Sequence, residues 1–136
     1  MKTYSVGIIG CTGMVGQRFV TLLADHPWFH ITALAASARS AGKTYAEAIG
    51  DRWAMTKPMP ESVRDMPVMD AADVKAVADK VDVVFCAVNM PKAEIKALEE
   101  AYAKAECPVI SNNSANRHTP DVPMVIPELN ADHLAV

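Results

Sequence analysis

Val6-Gly7-Ile8-Ile9-Gly10-Cys11-Thr12-Gly13-Met14-Val15-Gly16 is the stretch that decides the fold. An apolar run enters a turn with glycines at every third position, and the turn opens into a helical pattern. Gly10, Gly13 and Gly16 let backbone approach an anion with no side chain in the way, and they permit positive φ where the turn needs it. The free N–H groups at the start of the next helix, with about half a positive charge from its dipole, face that anion. The main chain of Gly10, Thr12, Gly13, Met14, Val15 and Gly16 is therefore expected to cradle the diphosphate of a dinucleotide, as doubly wound α/β domains do.

Outward from that turn, residues 4–9 read as a central strand and residues 14–25 as a helix, with Val15, Phe19, Leu22 and Leu23 at helical spacing and Pro27 stopping it. Residues 31–36 read as the second strand. The stretch 46–49 suits a short helix, and the prolines of 53–60 argue for a loop or edge strand. Val68-Met69 is expected to be a short strand, followed by a helix capped within Asp70–Asp73 and running to about Ala78. Val81 to Val88 is a buried-strand pattern. After Pro91, Ile95, Leu98, Ala101, Tyr102 and Ala105 share one helical face, with Lys and Glu opposite. Residues 107–111 and 124–126 read as short strands, separated by a polar loop. This alternation predicts an α/β, Rossmann-like, doubly wound domain: three α/β/α layers around a mostly parallel sheet.

The 136 residues suit one domain, and a 51% hydrophobic content with 21% charged residues excludes a disordered chain. A net charge of −3 points away from nucleic acid and from a basic membrane surface. No apolar run approaches the roughly 18 residues of a membrane span, and Met1-Lys2-Thr3-Tyr4 has no signal-peptide pattern. A cytoplasmic location is expected. Cys11, Cys86 and Cys107 are odd in number and fit neither a zinc site nor a CxxC pair, as suits a reducing compartment. Cys86 reads as strand filler. Cys11 lies where a helix N-terminus could lower its pKa, yet a bound dinucleotide would bury it against phosphate. His26, His30, His118 and His133 form no metal-binding pattern, so no metal is expected.

NAD-binding domains usually place an acid at the end of the second strand, about 20 residues past the glycines, to accept from the ribose 2′-OH. Here the stretch reads Ala35-Ala36-Ser37-Ala38-Arg39-Ser40, with no carboxylate. Arg39 can meet a 2′-phosphate as a fork while Ser37 and Ser40 donate to it, so NADP(H) is expected over NAD(H). Ala87 and Asn89, after the strong fourth strand, are expected to border the ribose or nicotinamide.

The segments Gly10-Cys11-Thr12-Gly13-Met14-Val15-Gly16-Gln17-Arg18-Phe19, Ser37-Ala38-Arg39-Ser40-Ala41-Gly42-Lys43, Ser111-Asn112-Asn113-Ser114-Ala115-Asn116-Arg117 and Val122-Pro123-Met124-Val125-Ile126-Pro127-Glu128-Leu129-Asn130 together carry a resemblance. The chain resembles the N-terminal, NADP-binding part of the aspartate-β-semialdehyde dehydrogenases of archaea, fungi and some bacteria. The resemblance implies reversible reduction of β-aspartyl phosphate to aspartate semialdehyde by NADPH, on the route to lysine, threonine and methionine. It implies a cysteine thiolate that attacks the acyl phosphate and a histidine acid–base. It also implies a homo-oligomeric parent enzyme. That cysteine belongs to an Asn-Cys motif beyond the Pro-Glu-Leu-Asn segment, and none of Cys11, Cys86 and Cys107 occupies its position. On this reading residues 1–136 are a cofactor-binding domain without catalytic residues, inactive alone, and the catalytic and dimerisation domain is absent. Arg117 matches the family's arginine for the substrate phosphate, with Asn116 and Ser114 supporting its loop. Related acyl reductases (N-acetyl-glutamyl-phosphate reductase, malonyl-CoA reductase) and a stand-alone NADP-binding regulatory module are the alternatives.

Overall fold

The computed structural model describes residues 2–136. Strand β1 (Tyr4–Ile9) lies at the centre of a five-stranded sheet between β2 (Phe29–Ala36) and β4 (Val83–Cys86). Outside these are β3 (Val68–Asp70) and β5 (Val109–Ser111), giving the order β3-β2-β1-β4-β5. Every pairing between strands is parallel. The chain adds strands to one side of β1, then crosses back to add β4 and β5 to the other. The switch point therefore lies between the carboxyl ends of β1 and β4, where a crevice forms in open α/β sheets.

Strand alternation divides the core in two. Val6 and Ile8 of β1, Leu34 and Ala36 of β2 and Phe85 of β4 pack on one face with Val20 and Leu23 of α1 (Met14–Leu23). Tyr45 and Ile49 of α2 (Tyr45–Ile49) and Val63 of α3 (Glu61–Arg64) complete that layer. On the other face Ile9, Ala33, Ala35, Val84 and Cys86 meet Val77 of α4 (Val74–Ala78) and Tyr102 of α5 (Lys92–Lys104). Burying an aliphatic side chain such as Ile8 or Leu34 contributes roughly 1.5–3 kcal/mol, so the two faces hold the layers together. The expected three-layer α/β/α architecture is present, with a wholly parallel sheet where a mostly parallel one was predicted.

Three local expectations change. Residues 53–60 are a loop, one of the two readings their prolines allowed, and the single turn α3 that follows, with Val63 buried, is an element not read from the sequence. Glu99 lies on the buried face of α5, where a solvent-facing charge was expected. Residues 124–126 are not a strand. The Ile126 N–H donates to Asn130 Oδ1 (2.7 Å), and Asn130 Nδ2 donates to the Met124 carbonyl (2.9 Å). Side chains of α6 (Pro127–Asn130) thus take the backbone groups that a sheet neighbour would have used. A 3₁₀ turn, Ala131–Ala135, ends the chain.

Candidate functional site

Because the strands run parallel, the stretches that follow β1, β2, β4 and β5 all emerge on one edge of the sheet. Gly10 follows β1 with φ +88°, and a Cβ there would lie 2.4 Å from the Ala87 carbonyl oxygen. The turn must therefore be glycine for two reasons: its φ, and its closeness to the end of β4. The N–H groups of Gly10 and Cys11 both donate to the Ala35 carbonyl, at 2.8 and 3.1 Å, which ties the turn to the end of β2. At Gly16 a Cβ would sit 2.0 Å from the Gly10 oxygen, so this glycine lets α1 close onto the turn. Gly13 differs, since the nearest atom to its Cβ would be 3.8 Å away. Its open side is exposed, as are Met14 and Val15.

Thr44 and Glu47 form a reciprocal capping box at α2, and Asp73 caps α4 by accepting from the Ala76 N–H. Helices α1 and α5, the two long ones, have no side-chain cap, and neither do the single turns α3 (Glu61–Arg64) and α6 (Pro127–Asn130). Of these, α1 and α5 follow β1 and β4, the strands that flank the switch point. At α1 the N–H groups of Thr12, Met14 and Val15 meet no acceptor among the described residues. A helix start without an acidic cap and with exposed N–H groups suits an external anion.

Two of the turn's carbonyls, by contrast, are held from behind by side chains, while the Gly10 carbonyl accepts from the Gly13 N–H (3.3 Å). Tyr45 Oη donates to the Cys11 carbonyl (2.7 Å). Gln17 Nε2 donates to the carbonyls of Thr12 (3.0 Å) and Arg52 (3.1 Å), and its Oε1 accepts from the Ala54 N–H (2.8 Å). Both side chains are buried. Burial pushes the Tyr45 phenol up, so it remains a proton donor. With the Cys11 carbonyl engaged inward, the Thr12 N–H faces out. Sequence reading missed Gln17 and Tyr45. Gln17 lies on the helix turn below Gly13, and its uncharged amide gave no sign of being buried.

Past β2, Ser37 and Arg39 are exposed in a turn that the Ser40 N–H closes on the Ser37 carbonyl (2.9 Å). Arg39 forms no ion pair among the described residues. Ser40 is mostly buried, at 9% exposed, so its hydroxyl is less open than that of Ser37. Ala87 continues the sheet, its N–H donating to the Ile9 carbonyl (2.8 Å), and Asn89 is exposed just beyond it. Thus the turn after β1, the Ser37–Ser40 turn and the Ala87–Asn89 segment lie side by side.

The loop after β5 is built on a buried carboxylate. Glu99, 4% exposed, accepts from Ser111 Oγ and from Asn116 Nδ2 (2.9 Å), and Asn116 Oδ1 accepts from Thr119 Oγ1 (3.0 Å). The Asn116 amide is thus committed to holding the loop. Arg117 is exposed, with Nη2 donating to the Asn112 carbonyl (3.0 Å), and its other guanidinium N–H groups meet no acceptor among the described residues. The signal for Glu99 was its position, four residues after Ile95 and three before Tyr102, on the buried helix face.

The three thiols are all free and buried. Desolvation pushes Cys11 up to about 12, outweighing its backbone hydrogen bond, so the helix-lowered pKa considered from sequence does not occur. Desolvation, then the Glu99 carboxylate, pushes Cys86 up to about 12. Burial raises Cys107 as well. None is an activated thiolate.

Residues 5–136 match the model of the semialdehyde dehydrogenase family, NAD-binding domain. The chain belongs to that family. Aspartate-semialdehyde dehydrogenase of Archaeoglobus fulgidus is 44% identical over 135 residues, covering 98% of this chain and 37% of its own length. That of Methanothermobacter thermautotrophicus is 49% identical over 130 residues, covering 96% of this chain and 35% of its own length. The crystal structure of aspartate-semialdehyde dehydrogenase with NADP from Candida albicans superposes with a TM-score of 0.88 at 36% identity, over 98% of this chain and 36% of that one. This semialdehyde dehydrogenase NAD-binding domain thus spans about a third of the length of the curated relatives it matches. No helix among its described residues is long and apolar enough to cross a membrane.

Proposed function

We propose that this chain is the NADP(H)-binding domain, residues 1–136, of an aspartate-β-semialdehyde dehydrogenase. The observation that carries the proposal is the set of N–H groups of Thr12, Met14 and Val15 that meet no acceptor among the described residues, next to a turn that offers an arginine and serines where an acid would select NAD. Gly13, whose missing side chain would meet only the Gly10 oxygen at 3.8 Å, suits close approach of a diphosphate, and Gly10 and Gly16 keep the turn folded tightly enough to present it. Ser37, Arg39 and Ser40 take the 2′-phosphate. Arg39 does most of this, since it is exposed and unpaired, while Ser40 contributes chiefly by shaping the turn. Ala87 and Asn89 border the ribose and nicotinamide.

When bound, the cofactor supplies a hydride for reduction of an acyl group derived from β-aspartyl phosphate. Arg117 binds the phosphate of that substrate by a guanidinium fork, and Asn116 supports it by anchoring the loop to Glu99. The buried, protonated Cys11, Cys86 and Cys107 support a nucleophile located elsewhere in the enzyme. The resemblance puts that cysteine, the histidine acid–base and the oligomer contacts in the part of the relatives that these residues do not span. A cytoplasmic location fits the three unpaired cysteines.

Fluorescence titration of the chain with NADPH and NADH tests the cofactor assignment. NADPH is expected to bind at least about tenfold more tightly, and Arg39→Ala to remove that preference by weakening NADPH about tenfold to a hundredfold while leaving NADH unchanged. Equal affinities in the unaltered chain overturn it.

A further inference from the structure

We infer that Tyr45 and Gln17 are positioning residues that hold the diphosphate cradle in its binding form before any ligand arrives. This rests on the cofactor reading above and adds a second layer to it. Four backbone groups of the cradle and its neighbour, the carbonyls of Cys11, Thr12 and Arg52 and the N–H of Ala54, are held by only two side chains. Both are buried, Tyr45 at 0% and Gln17 at 2% exposed. Neither has a polar atom left to offer a ligand, so their effect passes through the main chain.

The geometry explains why they matter. A peptide unit that turns its carbonyl inward turns its N–H outward. Tyr45 Oη fixes the Cys11 carbonyl and thereby the plane carrying the outward Thr12 N–H. Gln17 Nε2 fixes the Thr12 carbonyl, whose peptide partner, the Gly13 N–H, donates back to the Gly10 carbonyl (3.3 Å) and closes the turn from which Met14 and Val15 follow. Gln17 uses its whole amide, two donors and one acceptor, on main-chain groups; a glutamate of the same shape would set an oxygen against two carbonyls. Tyr45 begins α2, five residues after Ser40, and its own N–H donates to the Met66 carbonyl (2.8 Å). The phenol thus links the diphosphate turn to the segment that carries the 2′-phosphate residues. A cradle set in advance loses less conformational freedom on binding, which appears as affinity for the diphosphate.

The test uses the intact chain with three readouts. Tyr45→Phe removes one hydroxyl and keeps the ring that packs edge-on against Trp53 at 6.4 Å. The variant is expected to weaken NADPH roughly fivefold. Adenosine 2′-monophosphate, which has no 5′-phosphate to reach the cradle, should change less than about twofold. An equal loss for both ligands, or no loss for either, overturns the inference. The second arm needs no variant. In the wild-type chain, NADPH is expected to shift the backbone amide resonances of 12–16 while the Gln17 side-chain NH₂ pair and the Ala54 amide keep their free-state shifts and slow exchange. A Gln17 pair that exchanges fast until NADPH is added means the brace forms on binding, and the inference fails. If the wild-type chain does not bind NADPH, the cofactor reading itself fails, a result separate from all of these.

Discussion

Around Gly10–Gly16 and again from Met124 to Val136, side chains hold backbone groups that no sheet neighbour takes, but the two regions do so on opposite terms. At the glycine turn the holding groups, Gln17 and Tyr45, are buried in the core and hold carbonyls, leaving N–H groups toward solvent. In the tail the holding groups are Asn130 and His133, near the surface, and large apolar side chains around them face outward, Leu129 at 80% and Leu134 at 66% exposed. The first arrangement is rigid because breaking it strands buried polar groups, at about 1–3 kcal/mol each. The second loses little when it opens, because water replaces what is lost. Local stability should therefore fall steeply from the turn to the tail.

The comparison breaks most severely at Gly16. A Cβ there would lie 2.0 Å from the Gly10 oxygen and 2.8 Å from the Cys11 Cα, both backbone atoms that cannot move aside. Gly16→Ala is expected to destabilise the fold by about 3 kcal/mol, read from the urea midpoint, and to abolish NADPH binding. A fully stable, binding-competent variant would show that α1 does not need to sit so close to the turn.

A smaller effect comes from alkali. Cys11 and Cys86 are raised from 9.0 to about 12, and Tyr45 and Tyr102 shift upward too, all chiefly through desolvation. Each favours its neutral form in the folded chain, so the folded state holds more protons than the unfolded one above pH 9. Stability is complete below that point and is lost as pH climbs from 9 towards 12. Thermal melts through that window, followed at an aromatic signal from the core, should fall in midpoint; a rise would reverse the assigned burial. The tail contains no buried thiol or phenol and should not contribute.

The mildest test sharpens the contrast from the other side. Asn130→Ala removes two hydrogen bonds, to the Ile126 N–H and the Met124 carbonyl. It should cost about 1 kcal/mol or less, speed amide exchange at Ile126, and leave the NADPH dissociation constant within about twofold. A large loss of cofactor binding would mean the tail is coupled to the turn.

Much of this molecule could be read from residue order. The glycine spacing, the apolar runs of 4–9 and 81–88, the helix after Pro91 and the acid-free Ser37–Ser40 turn all state local rules: hydrophobic period, turn chemistry and charge type. They were enough for the α/β class and for the local pieces of the strand order, and they name the stretches proposed to form the site without showing how the sheet brings them together. The misread stretches are those where a local pattern had two solutions. Met124-Val125-Ile126 has strand composition, but Asn130 and His133 offer its backbone groups partners closer in sequence than any strand. Glu99 carries a charge that usually seeks water, and only the packing of α5 against β5 brings Ser111 and Asn116 to its two oxygens.

Residue order alone placed glycines after the first strand and an arginine after the second, because glycine and arginine act through their own geometry and charge. Only the tertiary structure decided which way the turn's peptides face, which helix starts stay open and which thiols are silenced. Those depend on partners such as Tyr45 and Cys11, 34 residues apart, whose meeting the parallel sheet arranges and no local pattern encodes.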